Sequence, residues 1–463
     1  MWKALFFILV GLVAASTNVA WAEYSLITMD QTPVSGERSI DESLANGDWR
    51  LEELTMAQCI RIGLQKSPSI RMSALDLKTA ELNVKDAWAN YLPEIDASGQ
   101  YRFSDSIDWG WERQNYDAQI SASYTIWDHG RREAGLAQAK ASEKGVQTDY
   151  ERTKQTLIFN ITQAYYDLLK AEKLIDINEK LLEISKGNVE KVTAFQEAGR
   201  SIPSDVATAR VQQANDELAL INAQNSFELA RANLASLMGL DPGTPIGIYD
   251  DPDYEKYTKE ALLIPEVSLE NSMAVAVQER PELIRLKTRL TSLAWSLKLA
   301  RLDRWPVLTA DYGLNVLLDD YLRDRDNFKK YRNWSIAARI SFPIFDGGAS
   351  RRRELSAEIA VDQMKEDIGE RKRTISLEVQ QAYLSLERAR KSLDIAREQV
   401  IDATESLNVT QGRYEQGMVI FLEILSAQAR YARALINQVE AFYDFRIAEK
   451  ALQKAVGTLK VED

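Results

Sequence analysis

Residues Arg131–Glu197, RREAGLAQAKASEKGVQTDYERTKQTLIFNITQAYYDLLKAEKLIDINEKLLEISKGNVEKVTAFQE, run for 67 positions without a proline. Within them Ile161, Ala164, Leu168, Ala171, Ile175, Leu182, Val189 and Val192 recur in steps of three and four, the spacing of a coiled-coil seam. The stretch therefore predicts one unbroken helix, about 100 Å long at about 1.5 Å per residue. A helix of that length is several times wider than an ordinary domain and must span something.

The pattern occurs twice. Val379, Ala382, Leu386, Ala389, Leu393, Ala396, Val400, Ala403, Leu407, Thr410 and Tyr414 keep the same rhythm, and an offset of 218 carries them onto the first seam, where Asn178, Ser185 and Gln196 are the polar members. Pro68 matches Pro281 and Pro93 matches Pro306 at an offset of 213, whereas Asp128 with Asp346, Gly199 with Gly417 and Gly239 with Gly457 match at 218. The chain is an internal duplication, and its five extra residues belong to the second hairpin.

Between the helices the period changes to two. Ile95, Ala97, Tyr101 and Phe103 alternate with polar residues, as do Tyr116, Ala118, Ile120, Ala122, Tyr124 and Ile126. Leu308, Ala310, Tyr312, Leu314 and Val316, then Trp334, Ile336, Ala338, Ile340, Phe342 and Ile344, do the same in the second copy. These are four strands with one apolar and one polar face, with polar loops expected at residues 104–115 and 318–333.

The predicted order is residues 54–239 as a first repeat, with hairpin 94–127, long helix 131–197 and return helix 204–238. A linker at 240–266 leads to a second repeat at 267–457, with hairpin 307–345, long helix 349–415 and return helix 422–456, before a tail at 458–463. Ahead of these stand a polar arm at 23–53 and residues 1–22. Lys3, the apolar run Ala4–Val13 and Ala20-Trp21-Ala22 have the order of a secretory signal peptide, with a signal anchor as the alternative. Beyond residue 22 no run of about 18 apolar residues occurs, so a membrane role requires a β-barrel. Net charge is −12, or −13 without Lys3, which argues against nucleic acid as a partner. Cys59 is the single cysteine, so neither a disulfide within the chain nor a thiolate cluster can form.

Amphipathic strands of this length match a transmembrane barrel, although a soluble β-layer with one buried face gives the same alternation. The export signal and the lack of any element to cover the apolar faces favour the barrel. Four strands are too few to close one, since about eight is the smallest size, so the barrel must be shared between chains. A second apolar row on the first long helix, Ile158, Tyr165, Leu169, Leu174, Ile177, Leu181 and Ile184, lets it take neighbours on both sides.

The duplicated plan, with Ile-Trp-Asp-His-Gly (126–130) and Ile-Phe-Asp-Gly-Gly (344–348) at the strand-to-helix junctions, resembles the TolC-type outer-membrane efflux family across Leu54–Gly457. The resemblance implies a mainly α protein with a β-barrel part. Long antiparallel coiled-coil helices would form an α-barrel tunnel through the periplasm, and four strands per chain would build a 12-stranded outer-membrane barrel in a homotrimer. It also implies a channel rather than an enzyme, without cofactors, that works with a periplasmic adaptor and an inner-membrane efflux pump or secretion ATPase.

By the same resemblance an acid six residues past each turn glycine helps close the tunnel, here Asp205 and Glu423, and Tyr414 pairs with the first of them. Ser426 and Val419 depart from the family pattern. The turns Gly199-Arg200-Ser201 and Gly417-Met418-Val419 would dock the adaptor. His129, the only histidine, and Gly347-Gly348 sit at junctions without a catalytic, metal or phosphate-loop pattern. A secreted coiled-coil adaptor or scaffold is the alternative function.

Overall fold

The computed structural model describes residues 51–106, 111–249, 254, 256–257, 268–317 and 332–459. The signal segment at 1–22, the arm up to residue 50 and most of the linker and of the second hairpin loop lie outside them. The elements are β1 (Leu51–Leu54), α1 (Met56–Lys66), α2 (Pro68–Ala89), β2 (Glu94–Ser106), β3 (Trp111–Trp127), α3 (Arg131–Glu197), α4 (Pro203–Leu237) and β4 (Ile246–Ile248). The second copy supplies α5 (Leu269–Glu279), α6 (Pro281–Leu302), β5 (Val307–Leu317), β6 (Arg332–Ser341), α7 (Ala349–Glu415) and α8 (Phe421–Val456).

Both long helices start the same way. Asp128 accepts from the backbone N–H of Gly130 (3.2 Å) and Arg132 (3.0 Å), and Asp346 from that of Gly348 (3.0 Å) and Ser350 (2.7 Å). Each carboxylate satisfies orphan donors of a first helical turn and sits at the positive end of the helix dipole. Pro68, Pro203 and Pro281 occupy first helical positions, where the missing N–H costs nothing. Four helices end on a left-handed glycine in the same motif: the N–H groups of Arg200, Leu240, Met418 and Thr458 reach back to the carbonyls of Phe195, Ala235, Arg413 and Gln453.

The helices form one layer. In its upper half α3 lies between α2 and α6, and α6 packs on α7; in the lower half α3 lies between α4 and α8, and α8 packs on α7. Being interior, α3 buries both of its rows: Ile161, Ala164 and Leu168 on one, Ile158, Tyr165 and Leu169 on the other. At the edge of the layer, α7 buries only the first, with Val379, Leu393 and Leu407 inside, while Leu377, Leu384, Ile395 and Val409 are exposed.

Two close approaches stack the short helices on the returns. A Cβ on Gly239 would stand 2.8 Å from the Lys66 carbonyl oxygen, and one on Gly457 would stand 3.2 Å from that of Glu279. The end of α4 thus abuts the α1–α2 corner as the end of α8 abuts the α5–α6 corner.

The strands form an antiparallel sheet in the order β2-β3-β5-β6. Ile120 stands opposite Ala97 and Leu314, Ala122 opposite Ile95 and Tyr312, and Tyr312 opposite Ile336. Opposed residues share a face, so the apolar positions of all four strands form one continuous surface, with which no helix of the described residues makes an extensive contact. Ser121, with Asp96 and Gly313 opposite it, belongs to the polar face, where Arg339 also pairs with Asp311 at 3.7 Å.

Two sequence expectations need correction. The first loop is shorter than 104–115: β2 and β3 stay paired out to Ser106 and Trp111, because ladder hydrogen bonds satisfy the backbone whether or not the side chains alternate. Strand β6 ends at Ser341 instead of continuing through Ile344. Pro343 has no N–H for the ladder, and Phe345 is 89 % exposed. The matching position in the first copy, Thr125, is where the β3–β5 register shifts.

Candidate functional site: the tip of the helical layer

At the lower end the turns at Gly199 and Gly417 bring both helical hairpins together around one apolar cluster. Val192 of α3, Val206 and Ala209 of α4, Tyr414 of α7, and Phe421 and Ile424 of α8 are buried in it. The Tyr414 ring stands 5.7 Å from that of Phe195 in the first hairpin and 5.9 Å from that of Phe421 in the return arm of its own. Arg200 lies over the Phe195 ring (4.7 Å) and donates to the Glu415 carbonyl (3.3 Å), and Lys191 pairs with the Glu415 carboxylate (2.8 Å). These contacts tie the first tip to the second within one chain.

The expected acids fare differently. Asp205, in the first turn of α4, accepts from the Ser201 hydroxyl at 2.9 Å. Burial and then the Asp205 charge hold the Tyr414 phenol above its usual pKa, against a hydrogen bond with Ser201. Asp205, Ser201 and Tyr414 therefore form one polar group at the rim of the apolar cluster. Glu423 is not part of it: it is exposed in the first turn of α8, and among the described residues no side-chain bond holds it.

Sequence reading missed Ser201 as the link between acid and phenol. Its position four residues ahead of Asp205 was the available signal. In the turns, Gly199 and Gly417 have φ of +71° and +74°, Met418 is exposed, and Val419 packs against the cluster. Ile202, Ile420 and Leu422 add exposed apolar surface to the tip.

His129 stacks on Trp305 at 4.0 Å with the Trp127 ring edge-on at 5.1 Å, at the junction of strand and helix. Cys59 is buried, and its thiol is pushed up to about 12. Among the described residues no group of histidine, cysteine and carboxylates has the arrangement of a metal site, and no helix is long and apolar enough to cross a membrane.

A family model for outer membrane efflux proteins matches residues 60–240 and 274–458, one segment per repeat. The chain is 24 % identical to Protein CyaE of Bordetella pertussis, covering 89 % of this chain and 85 % of that protein. It is 23 % identical to the outer membrane protein TolC of Vibrio cholerae, over 88 % and 92 %. Among solved structures, the outer membrane protein VceC from Vibrio cholerae superposes with a TM-score of 0.72 at 18 % identity, covering 87 % of this chain and 96 % of that one. A paired-hairpin helical layer, a sheet with a bare apolar face and this match across both repeats give one conclusion: the chain belongs to the outer membrane efflux protein family, whose members are outer-membrane channels that reach into the periplasm.

Proposed function

We propose that the protein acts as a homotrimer, the exit duct of a tripartite efflux or type I secretion system. An inner-membrane pump or secretion ATPase would deliver substrate, and a periplasmic adaptor would grip the exposed tip at Gly199, Arg200, Ser201, Gly417, Met418 and Val419. Asp205 and Tyr414 would form the periplasmic gate with Glu423 nearby.

The unfinished edges of a single chain carry this reading. Among the described residues, strands β2 and β6 each have no neighbour on one side, and unpaired edge strands invite pairing with another chain. The helical layer also ends bare, with Val211, Leu218, Ile221 and Leu229 exposed along α4 and Leu377, Leu384, Ile395 and Val409 along α7. Their heights correspond: Ile221 lies 18 residues into α4 from Pro203 and Ile395 lies 20 before Glu415 at the end of α7, so both stand about 30 Å above the turns. Burying one such side chain is worth about 1.5–3 kcal/mol, so joining these edges is strongly favoured. Three copies would contribute twelve strands.

Light scattering on detergent-purified protein should give the mass of three chains. A monodisperse monomer stable without detergent would refute the reading.

A further inference from the structure

Just outside the strand ends of the second repeat, arginines outnumber the acids that they share. The buried Glu354 pairs with Arg304 (2.8 Å), Arg351 (2.9 Å) and Arg301 (3.2 Å). Next to them Asp303 pairs with Arg353 (2.9 Å) and Arg131, and Arg352 donates to the Gly347 carbonyl (3.0 Å). A guanidinium carries five N–H donors and a carboxylate only two oxygens. The three arginines on Glu354 therefore keep two uncompensated positive charges and most of their donors, and their side chains are 51–57 % exposed.

The duplication builds its first junction without them. At the offsets that superpose the repeats, Arg301, Arg304, Arg351 and Arg353 correspond to Trp88, Tyr91, Glu133 and Gly135, which build the first junction with no such cluster. Arg304 lies three residues before β5 begins, and Arg351 is the third residue of α7. If the strands fill the hydrocarbon core, both fall in the headgroup layer, which adds about 5–8 Å on each side. Trp305 and Trp127, each about half exposed beside them, have the amphipathic character of residues that sit at that depth.

We propose that Arg301, Arg304 and Arg351, flanked by Arg353, bind the phosphate of an anionic phospholipid at the periplasmic surface of the outer membrane. The planar, fixed charge of arginine suits a phosphate. The assignment rests on the barrel reading above.

The test uses the full chain in detergent micelles doped with phosphatidylglycerol or, at equal mole fraction, phosphatidylcholine, with thermal unfolding as the readout. Phosphatidylglycerol should raise the melting temperature more. Arg304→Gln with Arg351→Gln, which leaves Arg301 to compensate Glu354, should remove that preference and weaken apparent phosphatidylglycerol affinity about fivefold for each arginine lost. Arg61→Gln, on the distant helix α1, should behave as wild type. Equal response of the wild type to both lipids overturns the proposal, as does an equal shift from inorganic phosphate alone. Loss of the trimer in the double variant with its lipid preference intact would assign the arginines to a neighbouring chain instead. Failure of the wild type to insert into phosphatidylcholine vesicles would count against the barrel itself.

Discussion

Gly239 and Gly457 show how much one residue can decide in this molecule. Both combine a positive φ, +75° and +86°, with backbone pressed against the missing side chain. Gly199 has a similar φ of +71° and open space around it. Alanine at Gly199 should cost about 1 kcal/mol, the left-handed penalty alone, whereas Gly239→Ala must also displace the Lys66 carbonyl and should cost about 3 kcal/mol. A melting temperature that falls further for Gly239→Ala checks this, and equal losses would contradict the contact. Sequence spacing shows that Gly239 and Gly457 are equivalent and end their helices. It does not show what presses on them, because Lys66 and Glu279 come from helices remote in the chain. Ser201 was missed for a similar reason, since periodicity reports faces and not hydrogen-bond partners.

At the scale of elements, the heptad pattern makes both long helices legible, including their duplication. It does not distinguish interior from edge, since α3 and α7 have the same rhythm and only tertiary packing buries both rows of α3. Period-two alternation reveals the strands but misplaces two boundaries, at Ser106–Trp111 and at Ser341, where ladder bonding and Pro343 override side-chain pattern. The exposed edges support a direct prediction. Within one chain α4 and α7 lie at opposite margins of the lower layer, so Ile221→Cys with Ile395→Cys should cross-link between copies through a short bis-maleimide and give a covalent trimer on a denaturing gel. Cys59 will not interfere, being buried with its thiol pushed up to about 12. Cross-linking confined to single chains would show that these edges do not meet.

On the proposed reading, the sheet is the wall of the duct in the membrane and the tip is its periplasmic entrance. Ile120 is central on the apolar face, so Ile120→Arg should cost about 2–4 kcal/mol in a bilayer. Ser121→Arg, on the polar face, should assemble normally; equal loss of both from the membrane fraction would reverse the assigned faces. At the other end, Tyr414 links the two hairpin tips of one chain through Ser201, Asp205 and Phe195. An ionised acceptor strengthens such a polar group, and threefold assembly would repeat it around the tunnel entrance. Removing the phenol hydroxyl and the carboxylate together leaves the apolar cluster and the Glu415 contacts in place but takes away the polar link between the tips. Tyr414→Phe with Asp205→Ala should therefore raise single-channel conductance in planar bilayers. Glu423 stands apart from that group and exposed, so its part in a trimer would be electrostatic: three carboxylates near one axis attract multivalent cations. Glu423→Ala should leave conductance close to wild type and weaken block by trivalent cations. If the double variant conducts as wild type does, the Tyr414 contacts only stabilise the tip; if Glu423→Ala is blocked as strongly as wild type, the cation-binding ring lies elsewhere in the tunnel.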